Sequence, residues 1–468
     1  MSSTSNVSSK ARIEALLDDN SFVEIGSLVR ARNTDFNLTE KETPADGVVT
    51  GYGLINGVLV YVYSQDSTVL GGSIGEMHAK KIVRIYDMAL KMGAPVIGLV
   101  DCAGLRLEEA TDALNAFGEI YLKQSLASGV IPQVTAVFGN CGGGLAVLSQ
   151  LSDFLLMEDK AKLFVNSPNV IDGNYTEKCD SASAKFQSEE TGNVDYTGEE
   201  ADVIEKIREL ISMLPSNCED TFAYEECTDD LNRACAGIDT LVDNMQELVQ
   251  MVADNGVFFE TKKDYATDMV TGFIKLNGNT VGVVANNSDL LSSKGAVKAA
   301  EFVNFCDSFS IPVVSFTNVT GYETTMCEEK KLAKATAKLT YAFANATIPK
   351  INVVTANAMG SAYVVMNSKG IGADMVYAWP DAKIGMMNAE SAAKIIYADE
   401  ISKGNSSEVI AEKAAEYDKL QLSVDSAAAR GYVDTIINPE DTRKYLIGAV
   451  EMLLTKREER PDKKHGTV

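Results

Sequence analysis

Two periodicities alternate along this chain, and the alternation occurs twice. Val48-Val49-Thr50-Gly51-Tyr52 and Val58-Leu59-Val60-Tyr61-Val62-Tyr63 are β-branched and aromatic runs on either side of Asn56-Gly57. That dipeptide adopts the left-handed conformations that close a tight hairpin. A short helix over 11–17 precedes the hairpin. After Gly71-Gly72-Ser73-Ile74-Gly75 the spacing changes, and Ile82, Ile85, Met88 and Ala89 share one face of a helix expected over 77–91. A strand over 95–100, a helix over 110–128 and a strand over 132–138 follow. The last strand runs into Gly139-Asn140-Cys141-Gly142-Gly143-Gly144 and a helical run from Leu145 to Leu151. Strand and helix in this rhythm predict parallel strands joined by right-handed crossovers, hence an α/β fold.

The second half repeats the plan. A hairpin about Asn277-Gly278, a helix over 295–309, a strand over 312–316, a helix over 328–346 and a strand over 349–354 come in the same order. Pro95 and Pro132 open consecutive strands 37 residues apart (132 − 95), and Pro312 and Pro349 do the same (349 − 312). Superposing them sets Cys141-Gly142-Gly143-Gly144-Leu145 on Ala358-Met359-Gly360-Ser361-Ala362. The chain is expected to be a tandem duplication, with domains over 1–235 and 236–468. Between the halves, over 172–247, acidic residues crowd a polar stretch around a helix over 201–214. This stretch reads as an exposed face and linker.

Glycine at a strand-to-helix turn permits positive φ and brings a ligand close to bare backbone. The first amides of the following helix have no partner within it and carry the positive end of its dipole. Two such turns at matching positions suggest two oxyanion holes, hence two carbonyl-like groups to polarise.

Composition narrows the chemistry these turns could serve. The net charge of −24 argues against nucleic-acid or anionic-membrane binding by the whole surface. No run approaches the ~20 apolar residues of a membrane span, and Met1-Ser2-Ser3-Thr4-Ser5 does not read as a secretion signal. The eight cysteines are scattered and form no CxxC pair, which fits reduced thiols in a cytoplasm and no zinc ribbon. No metal site is expected. Only His78 and His465 are present, so a histidine base or histidine-ligated metal has little to build on. Gly71-Gly72-Ser73-Ile74-Gly75 lacks the Lys-Ser/Thr of a nucleoside-triphosphate loop. Met88-Ala89-Leu90-Lys91-Met92 comes close to a biotin-attachment sequence but reads as a helix end. Ser361 with His78 would make a serine hydrolase only by assembling across domains.

Several stretches together resemble one family. Tyr63-Ser64-Gln65-Asp66-Ser67-Thr68-Val69-Leu70-Gly71-Gly72-Ser73, Met77-His78-Ala79-Lys80-Lys81-Ile82, Ala127-Ser128-Gly129-Val130-Ile131-Pro132-Gln133, Ala378-Trp379-Pro380-Asp381-Ala382 and the tail from Lys456 to Gly466 are similar to the carboxyltransferase (β) subunit of biotin-dependent acyl-CoA carboxylases. The type is that of propionyl-CoA carboxylase β and methylmalonyl-CoA decarboxylase α. The resemblance implies two crotonase-like ββα-superhelix domains, a homo-oligomer (a hexamer), and active sites between the N-domain of one subunit and the C-domain of another.

Carried over by position, Gly143 and Gly144 would polarise the acyl-CoA thioester, with Gly142 adjoining. Ser361 and Ala362, with Gly360, would polarise the ureido carbonyl of biotin, and Val364 falls where acyl size is tuned. The implied reaction moves a carboxyl group between carboxybiotin, borne on a separate carrier, and the α-carbon of a short-chain acyl-CoA. Partners would be a biotin carboxyl carrier protein and biotin carboxylase. Two alternatives stand beside this reading: the reverse half-reaction with a membrane decarboxylase subunit, and a non-catalytic scaffold. The chain departs from the family in Ala103-Gly104-Leu105-Arg106-Leu107-Glu108-Glu109-Ala110, over 174–200, in Thr320-Gly321-Tyr322 where the family has PGF, and at Ser361, usually glycine.

Overall fold

The computed structural model describes residues 8–36, 41–174, 178–220, 226–402 and 406–461. The chain divides into two compact units, Met1–Ala223 and Tyr224–Val468. His465 and part of the basic tail lie outside the described residues.

The first unit runs α1 (Ser9–Leu16), β1 (Val23–Glu24), β2 (Val48–Ile55), β3 (Val58–Gln65), α2 (Glu76–Met92), β4 (Val96–Cys102), α3 (Ala110–Ala127), β5 (Gln133–Gly142), α4 (Gly144–Gln150), β6 (Phe154–Glu158), β7 (Lys162–Phe164), β8 (Tyr196–Gly198) and α5 (Glu200–Met213). Its eight strands are ordered β1-β2-β3-β4-β5-β6-β8, with β7 pairing only with β5. The hairpin is antiparallel, and β3, β4, β5 and β6 are parallel to one another. β5 changes neighbours along its length. Val134 to Val137 pair with β6, whereas Asn140, Cys141 and Gly142 pair with Lys162, Leu163 and Phe164 of β7.

The second unit runs α6 (Met245–Val252), β9 (Phe258–Thr261), β10 (Met269–Leu276), β11 (Asn279–Asn286), β12 (Leu290–Leu291), α7 (Ser293–Ser308), β13 (Val313–Val319), β14 (Gly321–Tyr322), α8 (Met326–Asn345), β15 (Lys350–Met359), α9 (Gly360–Val365), β16 (Met375–Ala378), β17 (Lys383–Gly385) and β18 (Thr435–Ile436). Its sheet is ordered β9-β10-β11-β13-β15-β16-β18, with β17 on β15, strand for strand the plan of the first. This is the duplicated ββα architecture of a crotonase-like fold.

Local chemistry repeats with it. Asn56 and Gly57 have φ of 49° and 80°, and Asn277 and Gly278 have 48° and 75°, the double left-handed turn that matches strand twist. Asp18 accepts the Asn56 and Gly57 N–H groups at 3.0 and 2.9 Å, and Asp254 accepts those of Asn277 and Gly278 at 3.2 and 2.8 Å. Each unit packs α2 or α7 on its sheet through buried small and apolar side chains: Ile82, Ile85 and Ala89 in one, Ala296, Ala299 and Val303 in the other.

The acidic stretch departs from the exposed linker expected for it. It supplies β8 and α5, and α5 buries Val203, Ile204, Ile207, Leu210 and Ile211. Apolar positions at helical spacing bury one face of α5, and Asp202 and Glu205 lie exposed on the other.

Candidate active site

The first glycine turn begins where β5 leaves the sheet. Each glycine there answers a different constraint. A Cβ on Gly142 would lie 2.7 Å from the Phe164 ring. At Gly143 nothing crowds a Cβ, but φ 62° with ψ −126° is a conformation that side chains avoid. A Cβ on Gly144 would lie 2.7 Å from the Phe117 ring and 3.0 Å from the Tyr121 hydroxyl.

Hydrogen bonds fix the turn from two sides. The Gly143 N–H donates to the Phe164 carbonyl of β7 at 2.8 Å. Tyr121 O–H donates to the Gly144 carbonyl at 2.5 Å, and its ring packs on Phe117 with centroids 4.9 Å apart. The Gly143 amide, expected to polarise a ligand, is thus engaged within the sheet. Gly144, exposed, and Leu145 carry the leading amides of α4, which have no partner inside the helix.

The second turn sits at the same place in its unit. β5 and β15 begin 217 residues apart (350 − 133), as do Gly143 and Gly360 (360 − 143). Gly360 has φ 59°, and a Cβ on it would lie 3.1 Å from the Met386 carbonyl. Ser361 is exposed, Ala362 is buried, and Val364 is 41% exposed beside them. By this equivalence Ser361 and Ala362 match Gly144 and Leu145. Asn318 Oδ1 accepts the Asn357 N–H at 3.2 Å and holds the end of β15. Tyr322 O–H donates to Ser361 Oγ at 3.2 Å. Gly142, Gly143 and Gly144 therefore cluster in one unit, and Gly360, Ser361, Ala362 and Val364 in the other.

Phe164, Tyr121 and Tyr322 touch these turns without having been singled out as site residues. Phe164 and Tyr121 give no local signal, because their approach depends on strand order and helix packing. Tyr322 at least falls in a departure from the family pattern.

The remaining candidates have structural roles. His78 is fully buried on α2, with Nδ1 2.9 Å from the Asp46 carbonyl and Nε2 3.2 Å from Gln65 Nε2. Burial first, then the positive charges of Arg106 and Lys81, push its pKa down to about 3. It is neutral and enclosed, and so cannot serve an exposed Ser361. Gly72 packs on the Asp101 backbone, 2.4 Å from a built Cβ, and Gly71 O accepts the Ala103 N–H at 2.9 Å, so this loop locks β4 in place. Met88 to Met92 close α2 and form no hairpin tip of the kind biotin attachment needs. Burial pushes the Cys141 thiol up to about 12, far from a reactive thiolate. Among the described residues no group of His, Cys, Asp and Glu is placed to hold a metal ion.

The carboxyl transferase domain family matches residues 6–468. The chain is 38% identical over 480 residues to the methylmalonyl-CoA decarboxylase subunit alpha of Veillonella parvula, covering 99% of this chain and 93% of that one. It is 39% identical over 479 residues to the propionyl-CoA carboxylase beta chain of Roseobacter denitrificans, with the same coverage. A crystal structure of transcarboxylase 12S, a hexamer assembly with methylmalonyl-coenzyme A and methylmalonic acid bound, matches with a TM-score of 0.94 at 37% identity. That match covers 98% of this chain and 92% of that one. With a repeated turn in a repeated fold and end-to-end similarity on this scale, the chain belongs to the carboxyl transferase domain family.

Proposed function

We propose that this protein is a biotin-dependent acyl-CoA carboxyltransferase. It moves a carboxyl group between carboxybiotin on a separate carrier and the α-carbon of a short-chain acyl-CoA. The observation that carries the reading is the pair of equivalent turns, each opened by a positive-φ glycine at the end of the same strand of its unit. Two substrates with polarisable carbonyls call for two such sites. The 143–144 turn receives the thioester carbonyl, with the Gly144 amide as donor and Gly143 setting its direction. The Gly143 amide could add to it only by leaving Phe164 O. The 360–362 turn receives the ureido oxygen, and the Ser361 and Ala362 amides with the Ser361 hydroxyl suit a carbonyl acceptor. Val364, exposed beside that turn, bears on acyl size.

Carboxybiotin supplies the carboxyl group and, once discharged, the base for the α-proton. That division of labour suits a chain whose one described histidine is buried and neutral. The protein positions both partners and stabilises charge at both oxygens. The working form in this reading is a cytoplasmic homo-hexamer served by a biotin carrier protein and a biotin carboxylase.

The test is transfer of the carboxyl group from methylmalonyl-CoA to free biotin or a biotinylated carrier by the purified full chain. Transfer supports the reading, and an inert protein that still binds carboxylase subunits would favour a scaffold. Identity to a decarboxylase alpha subunit favours a second reading, the same half-reaction run in reverse. Co-purification with a membrane decarboxylase subunit would select it. Among the described residues no helix is long and apolar enough to cross a membrane.

A further inference from the structure

Two side chains distant in sequence meet at the second turn. The Tyr322 O–H donates to Ser361 Oγ at 3.2 Å across 39 residues of chain. The tyrosine is fixed from behind. β14 pairs in parallel with β12, setting Tyr322 opposite Leu291, and the Glu323 N–H donates to the Leu291 carbonyl at 3.1 Å. One residue before β14, the Thr320 N–H and hydroxyl donate to the Asp289 carbonyl and carboxylate at 2.7 and 3.0 Å. Ser361 in turn has its backbone placed by Gly360, and its side chain is exposed at the turn.

A serine hydroxyl has one hydrogen and two lone pairs. The tyrosine fills one lone pair, and among the described residues no acceptor takes the serine hydrogen. Accepting one hydrogen bond strengthens the bond the same hydroxyl donates. We infer that Ser361, held by Tyr322, is a side-chain donor to the oxygen bound at the second turn, a contact that a glycine there would not make. The inference rests on the carboxyltransferase reading, in which that oxygen is the ureido oxygen of biotin. Ser361 is then a residue that touches substrate, and Tyr322 a positioning residue acting through it.

The experiment uses the full chain with methylmalonyl-CoA as donor and free biotin as acceptor. Ser361→Ala is expected to lower kcat about tenfold, less than the ~10²–10³-fold of a lost oxyanion-hole donor because a neutral exposed hydroxyl is the weaker contact. Ser361→Thr keeps the hydroxyl and holds most of the rate. Tyr322→Phe lowers kcat by a smaller factor, about threefold, because the serine keeps its hydroxyl but loses its orientation. In all of these KM for methylmalonyl-CoA stays near the wild-type value, since that substrate belongs to the other turn. The discriminating variant is the double substitution. If the tyrosine acts only through the serine, Tyr322→Phe has no further effect in the Ser361→Ala background. A wild-type rate in Ser361→Ala, or a tyrosine effect that persists undiminished in the double variant, overturns the inference while leaving the carboxyltransferase reading standing. Absence of transfer by the wild-type protein with any acyl-CoA overturns that reading and the inference together.

Discussion

A methyl group added at Gly143 meets no atom within 4 Å, yet its backbone lies where only glycine is at ease. Gly360 combines a positive φ with a carbonyl 3.1 Å from any Cβ. Replacing either by alanine is expected to cost about 1–3 kcal/mol of backbone strain. The turn must then shift, and a displacement of ~1 Å can cost roughly a hundredfold in rate. Gly143→Ala should therefore lower melting temperature by a few degrees and transfer rate far more. A variant that melts lower but transfers normally would detach the turn from the chemistry. His78 makes a different prediction. Its folded pKa is near 3 against an ordinary 6.5, so below pH 6.5 the unfolded chain takes a proton that the folded chain refuses. Stability is whole above that pH and falls as acid is added. Asp153 works in the opposite sense: burial raises its carboxyl from 3.8 to about 7, so its contribution is lost as pH rises through that range. Urea denaturation between pH 4 and 7 should show His78→Gln losing less stability in acid than the wild type, and Asp153→Asn losing more. The three adjoining glycines and the repeat at Gly360 were legible in the chain. The hydrogen bond that takes the Gly143 amide was not, because its acceptor belongs to β7, a three-residue strand with no pattern of its own.

Helix starts are the elements on which both units rely in the same way. Glu109 Oε2 accepts the Glu76 N–H at 2.6 Å at the head of α2, and Glu328 Oε2 accepts the Ser293 N–H at 2.5 Å at the head of α7. Each carboxylate comes from the start of the next helix and meets the positive end of the previous one. In the first unit the arrangement is more deeply charged. Arg106 Nη1 lies 2.6 Å from Asp46 Oδ1 and 2.7 Å from Glu109 Oε1, and all three side chains are almost wholly buried. Desolvation still raises the Asp46 carboxyl despite the guanidinium, a sign of how costly the site would be without it. Arg106→Met should destabilise the protein by about 3–5 kcal/mol, because two carboxylates lose their shared cation. Thermal or urea unfolding would register it, and a change under 1 kcal/mol would mean that water reaches the cluster. The helices themselves were legible to within a few residues from apolar spacing. Their carboxylate caps were not, since these link residues 33 and 35 positions apart.

At the scale of the molecule, α3 leaves Leu114, Leu122 and Leu126 at 58, 56 and 55% exposure along one face. Apolar side chains exposed along one helix face are of the kind that contacts between copies cover. In the proposed homo-hexamer such surface would be covered, and sedimentation velocity should give the mass of six copies. Leu122→Glu with Leu126→Glu should reduce that mass if α3 lies between copies, and an unchanged mass would place the contacts elsewhere. The chain by itself determined the duplication, the two hairpins, the alternation of helix and strand from each hairpin to its glycine turn, and the pair of turns. These depend on period, on glycine and on fixed intervals, which are local or simply repeated. The tertiary structure alone decided that the acidic stretch completes the first sheet, that His78 is sealed in a core, and which amide at 143–144 remains unpaired. It also brought Tyr322 to Ser361. Each of those outcomes is a contact between segments distant in sequence, settled by which strand lies beside which and by what burial does to a polar group, and no local pattern in the chain records either.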